Sequence, residues 1–259
     1  MPADASFEGS ISGGSKATSE LVSRGFAAVV VGQAVILAAT LCSAAQGYNI
    51  RVTPADTAKA SRSLLRLTDL PSHSFWRGGR VRVQRTGSQL FTQTAGGGCV
   101  GPIIDTDPIE VTGEAVNEFR ASNDSQRVES TAQVVATHAM LEQDWNLARV
   151  NRTPKALRCE QRYFTDTSQT LTAYRVTPLQ LPNLTEHAYA YRIQFTFRKT
   201  FLGQRMYGIK DAFFLAANRT ESDLLITANL GTKSQAQHAE RLVAAAELRL
   251  LRTVAARTK

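Results

Sequence analysis

Four aromatic side chains and two cysteines carry most of the chemistry that this sequence offers. Trp76, Trp145, Tyr189 and Tyr191 are large rings with one polar handle each, and they suit the wall of a cleft that takes a small apolar or amphipathic ligand. The same rings suit a packed core, and both readings stay open for each of them at this level. Cys99 and Cys159 are expected to pair in an oxidising compartment, closing a loop of about 60 residues for a stabilisation of about 4 kcal/mol. Two free buried thiols are the alternative. No histidine stands at ligand spacing from either cysteine, so they do not read as a metal site.

The remaining reactive types are dispersed. His73, His138, His187 and His238 are far apart, none sits in a motif that would make it a base or a ligand, and each reads as a surface or structural histidine. There is no G-x-S-x-G elbow, no H-E-x-x-H helix and no phosphate-binding G-x-x-x-x-G-K-[ST] loop. Gly96-Gly97-Gly98 lacks a following lysine, and Asp105 and Asp107 stand beside Pro108 in what reads as a solvated loop rather than a calcium site or a hydrolase pair. The sequence therefore assigns no catalytic residue, no metal and no cofactor. It indicates a binding module, with an envelope hydrolase as the alternative if the fold brings a histidine to a carboxylate or serine in a pocket.

The elements that must position these residues begin with an export signal. Residues 25–41 read GFAAVVVGQAVILAATL, an uncharged apolar run preceded by Arg24 and followed by small residues, the layout of a secretory signal peptide. Ser43 and Ala45 meet the need for small side chains before the cut, which predicts cleavage between Ala45 and Gln46. Leu41 before Cys42 argues against lipidation, whereas an uncleaved anchor stays open because about 17 apolar residues lie near the lower limit for spanning. Residues 1–24 are Gly/Ser-rich and mildly acidic, and initiation at Val22 would leave a compact basic lead-in, Val22 to Phe26.

Charge follows the exported part. The chain has 259 residues with 30 Lys+Arg against 22 Asp+Glu, and removal of residues 1–45 leaves 214 residues with 28 basic against 19 acidic. The composition, 43% hydrophobic and 20% charged, excludes a disordered chain. Export takes the protein away from nucleic acid, so the basic surface is expected to meet an anionic envelope polymer or lipid if it meets anything.

Along the exported chain, Thr53-Pro54-Ala55-Asp56 signals a helix start, and a helix is expected over Pro54 to Leu67. Arg80 to Gln84 and Gln89 to Thr94 alternate weakly as strands, and Gly101 to Gly113 reads as a loop. Ala115 to Ala121 and Arg127 to Thr137 read as strands. Met140 to Ala148 then takes a helical period and should stop near Pro154. Thr170 to Thr177, Ala188 to Arg198, Met206 to Asn218 and Asp223 to Asn229 predict a four-stranded antiparallel meander. In its second strand, Tyr189, Tyr191, Ile193, Phe195 and Phe197 predict a core face, with His187, Ala190, Arg192, Gln194, Thr196 and Arg198 mostly on a wet one. Ser234 to Val254 predicts an amphipathic helix with Ala239, Leu242, Val243, Ala246 and Leu250 on its apolar stripe.

Leu67-Thr68-Asp69-Leu70-Pro71, Trp76, the run Val128 to Val134 leading into the Trp145 helix, Cys159, Thr177-Pro178-Leu179 and the Tyr191 to Phe197 strand together form a pattern. It resembles the extracytoplasmic sensor-like domains of actinobacterial proteins, the group that includes the extracellular domain of PknH-type kinases and related exported lipoproteins, akin to PsbP-like folds. That resemblance implies ligand sensing in a cleft and carries no shared catalytic residues. The sensor domains of those kinases resemble a two-disulfide design, while this chain offers one possible pair.

The expected organisation is thus an N-terminal extension and signal peptide over 1–45, followed by a single exported α+β domain over 46–259. The expected fold is one antiparallel sheet of about six to eight strands flanked by helices. Its expected role is ligand binding or sensing in the cell envelope, with hydrolysis and electrostatic adhesion as alternatives.

Overall fold

The computed structural model describes residues 49–71, 73–83, 109–122, 126–151, 153–168, 171–201, 204–230 and 247–259. The apolar run, Ala45, Gln46, Cys99 and the expected strand Gln89 to Thr94 lie outside the described residues. Among those described, no helix is long and apolar enough to cross a membrane.

The chain is α+β, built on one large, mostly antiparallel sheet of nine strands. The strands are β1 (Asn49–Ile50), β2 (Trp76–Gly78), β3 (Arg82–Val83), β4 (Glu110–Ala121), β5 (Gln126–Val135), β6 (Leu171–Leu179), β7 (His187–Phe201), β8 (Gln204–Ala217) and β9 (Thr220–Leu230). Their order across the sheet is β1-β4-β5-β9-β8-β7-β6, with β2 and β3 also on β4. The helices are α1 (Pro54–Ser63), α2 (His138–Asn151) and α3 (Pro154–Thr167), with α4 described over 247–258.

The strand count exceeds the expected six to eight because the outer edge of β4 is covered in three pieces. Ile50 stands opposite Val111, Val83 opposite Ala115, and Trp76 opposite Ala121. A twelve-residue strand with an open edge would leave a row of backbone donors and acceptors without partners, and the short pieces satisfy them. β3 falls within the expected strand Arg80 to Gln84, whereas β1 and β2, of two and three residues, carry no readable period. The same pairing corrects the loop expected up to Gly113: Glu110 to Gly113 already belong to β4, between β1 and β5.

The meander β6 to β9 forms as expected, and β9 closes it against β5 over nine paired positions. What the period misjudged is the second face. Both sides of this sheet are covered. Phe119, Val128, Ala190, Phe213 and Leu224 pack under α4 with Leu65, whereas Val135, Ala212 and Phe214 pack under α2. The parity of β7 expected to be wet includes Ala190, which is 5% exposed, and Arg192, which forms a bidentate pair with buried Asp211 at 2.7 Å for both contacts.

Thr53 caps α1 by accepting from the Asp56 amide at 3.2 Å, with Pro54 in the first turn, as the sequence requires. The helix ends at Ser63 rather than Leu67, because the next two leucines turn into the core. Leu64 is extended, its carbonyl accepts from Arg257 at 2.6 Å, and the Leu65 carbonyl accepts from Asn117 at 2.6 Å. Tertiary partners replace the helical bonds those groups would otherwise make. Pro154 stops α2 as expected, but it also opens α3, where Thr153 accepts from the Ala156 amide at 3.2 Å.

α4 runs on to 258, beyond the expected end at Val254, and buries Leu250, Leu251, Val254 and Ala255. Ala239, Leu242, Val243 and Ala246 lie outside the described residues. Arg257 near its end reaches Asp69 with contacts of 2.7 and 3.0 Å as well as the Leu64 carbonyl, and so ties the last helix to the chain leaving α1. Arg257→Ala leaves the Asp69 carboxylate without this fork in a half-buried position. It should lower unfolding stability by about 2 kcal/mol in urea titration. A change below about 0.5 kcal/mol would show that the clamp is solvated in function as well as in part of its surface.

Candidate functional site

The sequence places Trp145 on α2, one turn beyond Leu141. Leu141 is fully buried against the sheet, and this anchors the helix so that Trp145 reaches the start of β7. There the alternation of β7 brings His187, expected on the wet face, to the same face as Tyr189 and Tyr191, because residues two and four apart in a strand share a side. The rings form a continuous stack. Trp145 lies on His187 with centroids 4.6 Å apart and on Tyr189 at 5.5 Å, and Tyr189 lies on Phe214 at 4.5 Å. Tyr191 continues it, 5.8 Å from Phe214.

Trp145, His187, Tyr189 and Tyr191 form one side of a cleft of about 430 Å³, completed by Leu157 of α3, the end of β6 and the β6–β7 connection. Register explains why a cleft opens here. β6 pairs with β7 only as far as Leu179 opposite Ala190, while β7 continues to His187 alongside β8. The connection swings away from the strand, and its prolyl residue Pro182 has no N–H to donate to a ladder. The walls are mixed: Trp145, Leu179, Leu181 and Tyr189 supply apolar surface, and Asn183, Thr185, Glu186 and His187 supply polar groups. Such a cleft can hold an apolar body and bind one polar end.

Of the four aromatic residues singled out in the sequence, the structure brings together Trp145, Tyr189 and Tyr191. Trp76 is elsewhere: it sits in β2 at the far edge of the sheet, packs on the α4 side, and donates its indole N–H to the Pro71 carbonyl at 3.0 Å. Cys159 lies in α3 and is disulfide-bonded. Its expected partner Cys99 is outside the described residues.

At the rim of the cleft stands a group that the sequence did not bring forward. His138 and Glu142 are one turn apart on α2, and Glu186 and His187 enter β7 beside them. His138 Nε2 lies 3.6 Å from Glu142 Oε1 and 3.4 Å from Glu186 Oε1, while His187 Nε2 meets Glu142 Oε1 at 2.6 Å. His138 Nδ1 is 2.6 Å from the Asn218 carbonyl, and the Asn218 amide donates to Glu186 Oε2 at 3.1 Å. Asn218 holds a positive φ of 57° in the β8–β9 turn, a conformation that asparagine tolerates better than most residues. The hydrogen bond to the Asn218 carbonyl, aided by the Glu186 and Glu142 carboxylates, raises the His138 pKa. The helical spacing of His138 and Glu142 was legible; its meeting with Glu186 and His187 depends on the β7 register.

Deeper on the α2 side, the sheet buries acids. Glu114, Gln133 and Glu221 stand in neighbouring positions of β4, β5 and β9, all at most 1% exposed. Asp144 of α2 reaches Glu221, and burial followed by the Asp144 charge pushes the Glu221 carboxyl well above its usual range. Asp223, two residues on, is raised to about 7 by burial and by Glu129. These carboxyls lie outside the residues that line the cleft.

Comparison with protein-family models and with curated proteins finds no match for this chain.

Proposed function

We propose that the chain is an exported, non-catalytic binding module of the cell envelope, whose cleft takes the apolar body of a small amphipathic ligand. One observation carries this reading: the ring stack of His187, Trp145 and Tyr189 forms a flat aromatic wall on an open cleft whose opposite rim is polar. Flat rings on one side and hydrogen-bonding groups on the other favour a ligand with an apolar plane or chain and a polar end. The resemblance to exported sensor-like domains and the signal-peptide layout support the same reading. The Cys99–Cys159 bond is proposed as the covalent closure of this domain.

The test uses the uncharged fluorophore N-phenyl-1-naphthylamine, followed by its own emission, with the cationic dodecyltrimethylammonium as a displacing competitor. Saturable binding is expected, and Trp145→Ala should weaken it about tenfold or more, the loss of one stacked ring. Absence of saturable binding, or equal affinity in Trp145→Ala, would remove the cleft from consideration.

A second reading, an envelope hydrolase, is favoured by the 2.6 Å contact between His187 and Glu142 at the cleft rim. A carboxylate can orient an imidazole as a general base. Among the described residues, no hydroxyl is hydrogen-bonded to the His187 ring. Turnover of p-nitrophenyl butyrate that disappears in His187→Ala would replace the binding reading with this one.

A further inference from the structure

We propose that His138, Glu142 and Glu186 form a binding site for one divalent transition-metal ion of the zinc class, at the rim of the cleft. Their ligand atoms all lie within 4.8 Å of one another. With metal–nitrogen and metal–oxygen bonds of about 2.0–2.2 Å, the edges of a tetrahedral site are about 3.3–3.6 Å long. The His138 Nε2 distances to Glu142 Oε1 and Glu186 Oε1, 3.6 and 3.4 Å, already have that length. An ion can therefore enter with small side-chain adjustments rather than a rearrangement of elements.

Each ligand also has a partner behind it. The Asn218 carbonyl receives the His138 Nδ1–H, which leaves Nε2 to face the carboxylates. The Asn218 amide donates to Glu186 Oε2, and His187 Nε2 donates to Glu142 Oε1. Outer partners of this kind fix the tautomer and orientation of metal ligands. His187 is itself held by its stack on Trp145. One turn between β8 and β9 thus steadies two ligands, and an aromatic ring steadies the donor to the third.

The donor set selects the ion. One imidazole nitrogen and two carboxylates suit zinc and its neighbours, whereas calcium and magnesium favour all-oxygen shells with more ligands. Three protein ligands leave a fourth position for water or for a polar group of a ligand, the arrangement of an open rather than a closed site. Glu186 and His187 also line the cleft, so the ion would sit at its rim.

The full chain, stripped with a chelator, is titrated with Zn²⁺ alone by calorimetry and with Co²⁺ by visible absorption, with no cleft ligand present. One ion per chain is expected, with cobalt bands of a four- or five-coordinate site, and a hundredfold excess of Ca²⁺ or Mg²⁺ should not displace it. His138→Ala and Glu186→Gln should each weaken Zn²⁺ binding at least tenfold, with circular dichroism unchanged, because both side chains are exposed. Glu142→Gln is the second variant on the helix side. No saturable uptake, uptake equal in all three variants, or displacement by Ca²⁺ would overturn the proposal. Because the titration uses the metal alone, failure of the cleft to bind an amphipathic probe leaves its outcome unaffected.

Discussion

Stability of the wild-type protein should fall by about 3 kcal/mol between pH 5 and pH 8 through Asp223 alone, and Asp223→Asn should remove most of that fall. The carboxyl is buried on β9, its Oδ1 accepts from the Thr131 amide at 3.1 Å, and Glu129 and Lys210 are the charged groups that act on it. Burial first and the Glu129 carboxylate second raise its pKa from 3.8 to about 7. The folded state therefore keeps a proton that the unfolded chain has released. The stabilisation is complete below about pH 4 and is lost as pH rises through about 7, after which the curve is flat. Glu221, raised by burial and by Asp144, contributes a loss of the same sign starting above its unfolded value of 4.5. Asparagine retains the acceptor for Thr131 but does not ionise, so Asp223→Asn should be the more stable protein at pH 8. Urea titrations at pH 5 and pH 8 decide the matter: a wild-type protein whose stability is flat or rising over that interval contradicts the assignment.

The second large effect is steric. Gly113 begins the stretch of β4 on which α1 rests, and a Cβ there would lie 2.4 Å from the Asp56 backbone carbonyl and 2.6 Å from the Thr57 amide nitrogen. Ordinary contact needs about 3.5 Å, so α1 would have to lift by about 1 Å. The helix is not free to lift. Asp56 is held by Arg219, at 2.9 Å for the closer contact, and Arg219 also binds the Val135 and Ala136 carbonyls. Gly113→Ala should cost about 3 kcal/mol, near the top of the range for overpacking, because the obstacle is backbone rather than a side chain that can swing away. Gly113→Val should cost more. An alanine variant within about 0.5 kcal/mol of wild type would show that α1 rides looser on the sheet than its contacts imply.

The functional readings meet at one place on the molecule. The aromatic wall and the His138, Glu142 and Glu186 group lie next to each other because α2 crosses the sheet at the entry to β7. A basic protein thus places two carboxylates, Glu142 and Glu186, at its cleft rim, a local charge opposite to that of the whole chain.

Sequence by itself determined the local events whose cause lies within a few residues. Thr53-Pro54 set the start of α1, the period of two set the four-stranded meander, and Leu141 with Trp145 set the buried face of α2. Tertiary structure decided whatever required a distant partner. It ended α1 at Ser63 because Leu64 and Leu65 found Arg257 and Asn117. It raised the strand number to nine because β4 needed its edge covered, and it covered both faces of the sheet because α2 and α4 lie on opposite sides. Trp76 and Trp145 look alike in sequence, but only Trp145 lies on the helix that faces the start of β7. His138 and His187 read singly as surface histidines. They form a group because the register of β7 against β8 sets Glu186 and His187 beside the first turns of α2. A side chain's neighbours across a sheet are fixed by register and layer, and neither is encoded in the few residues around it.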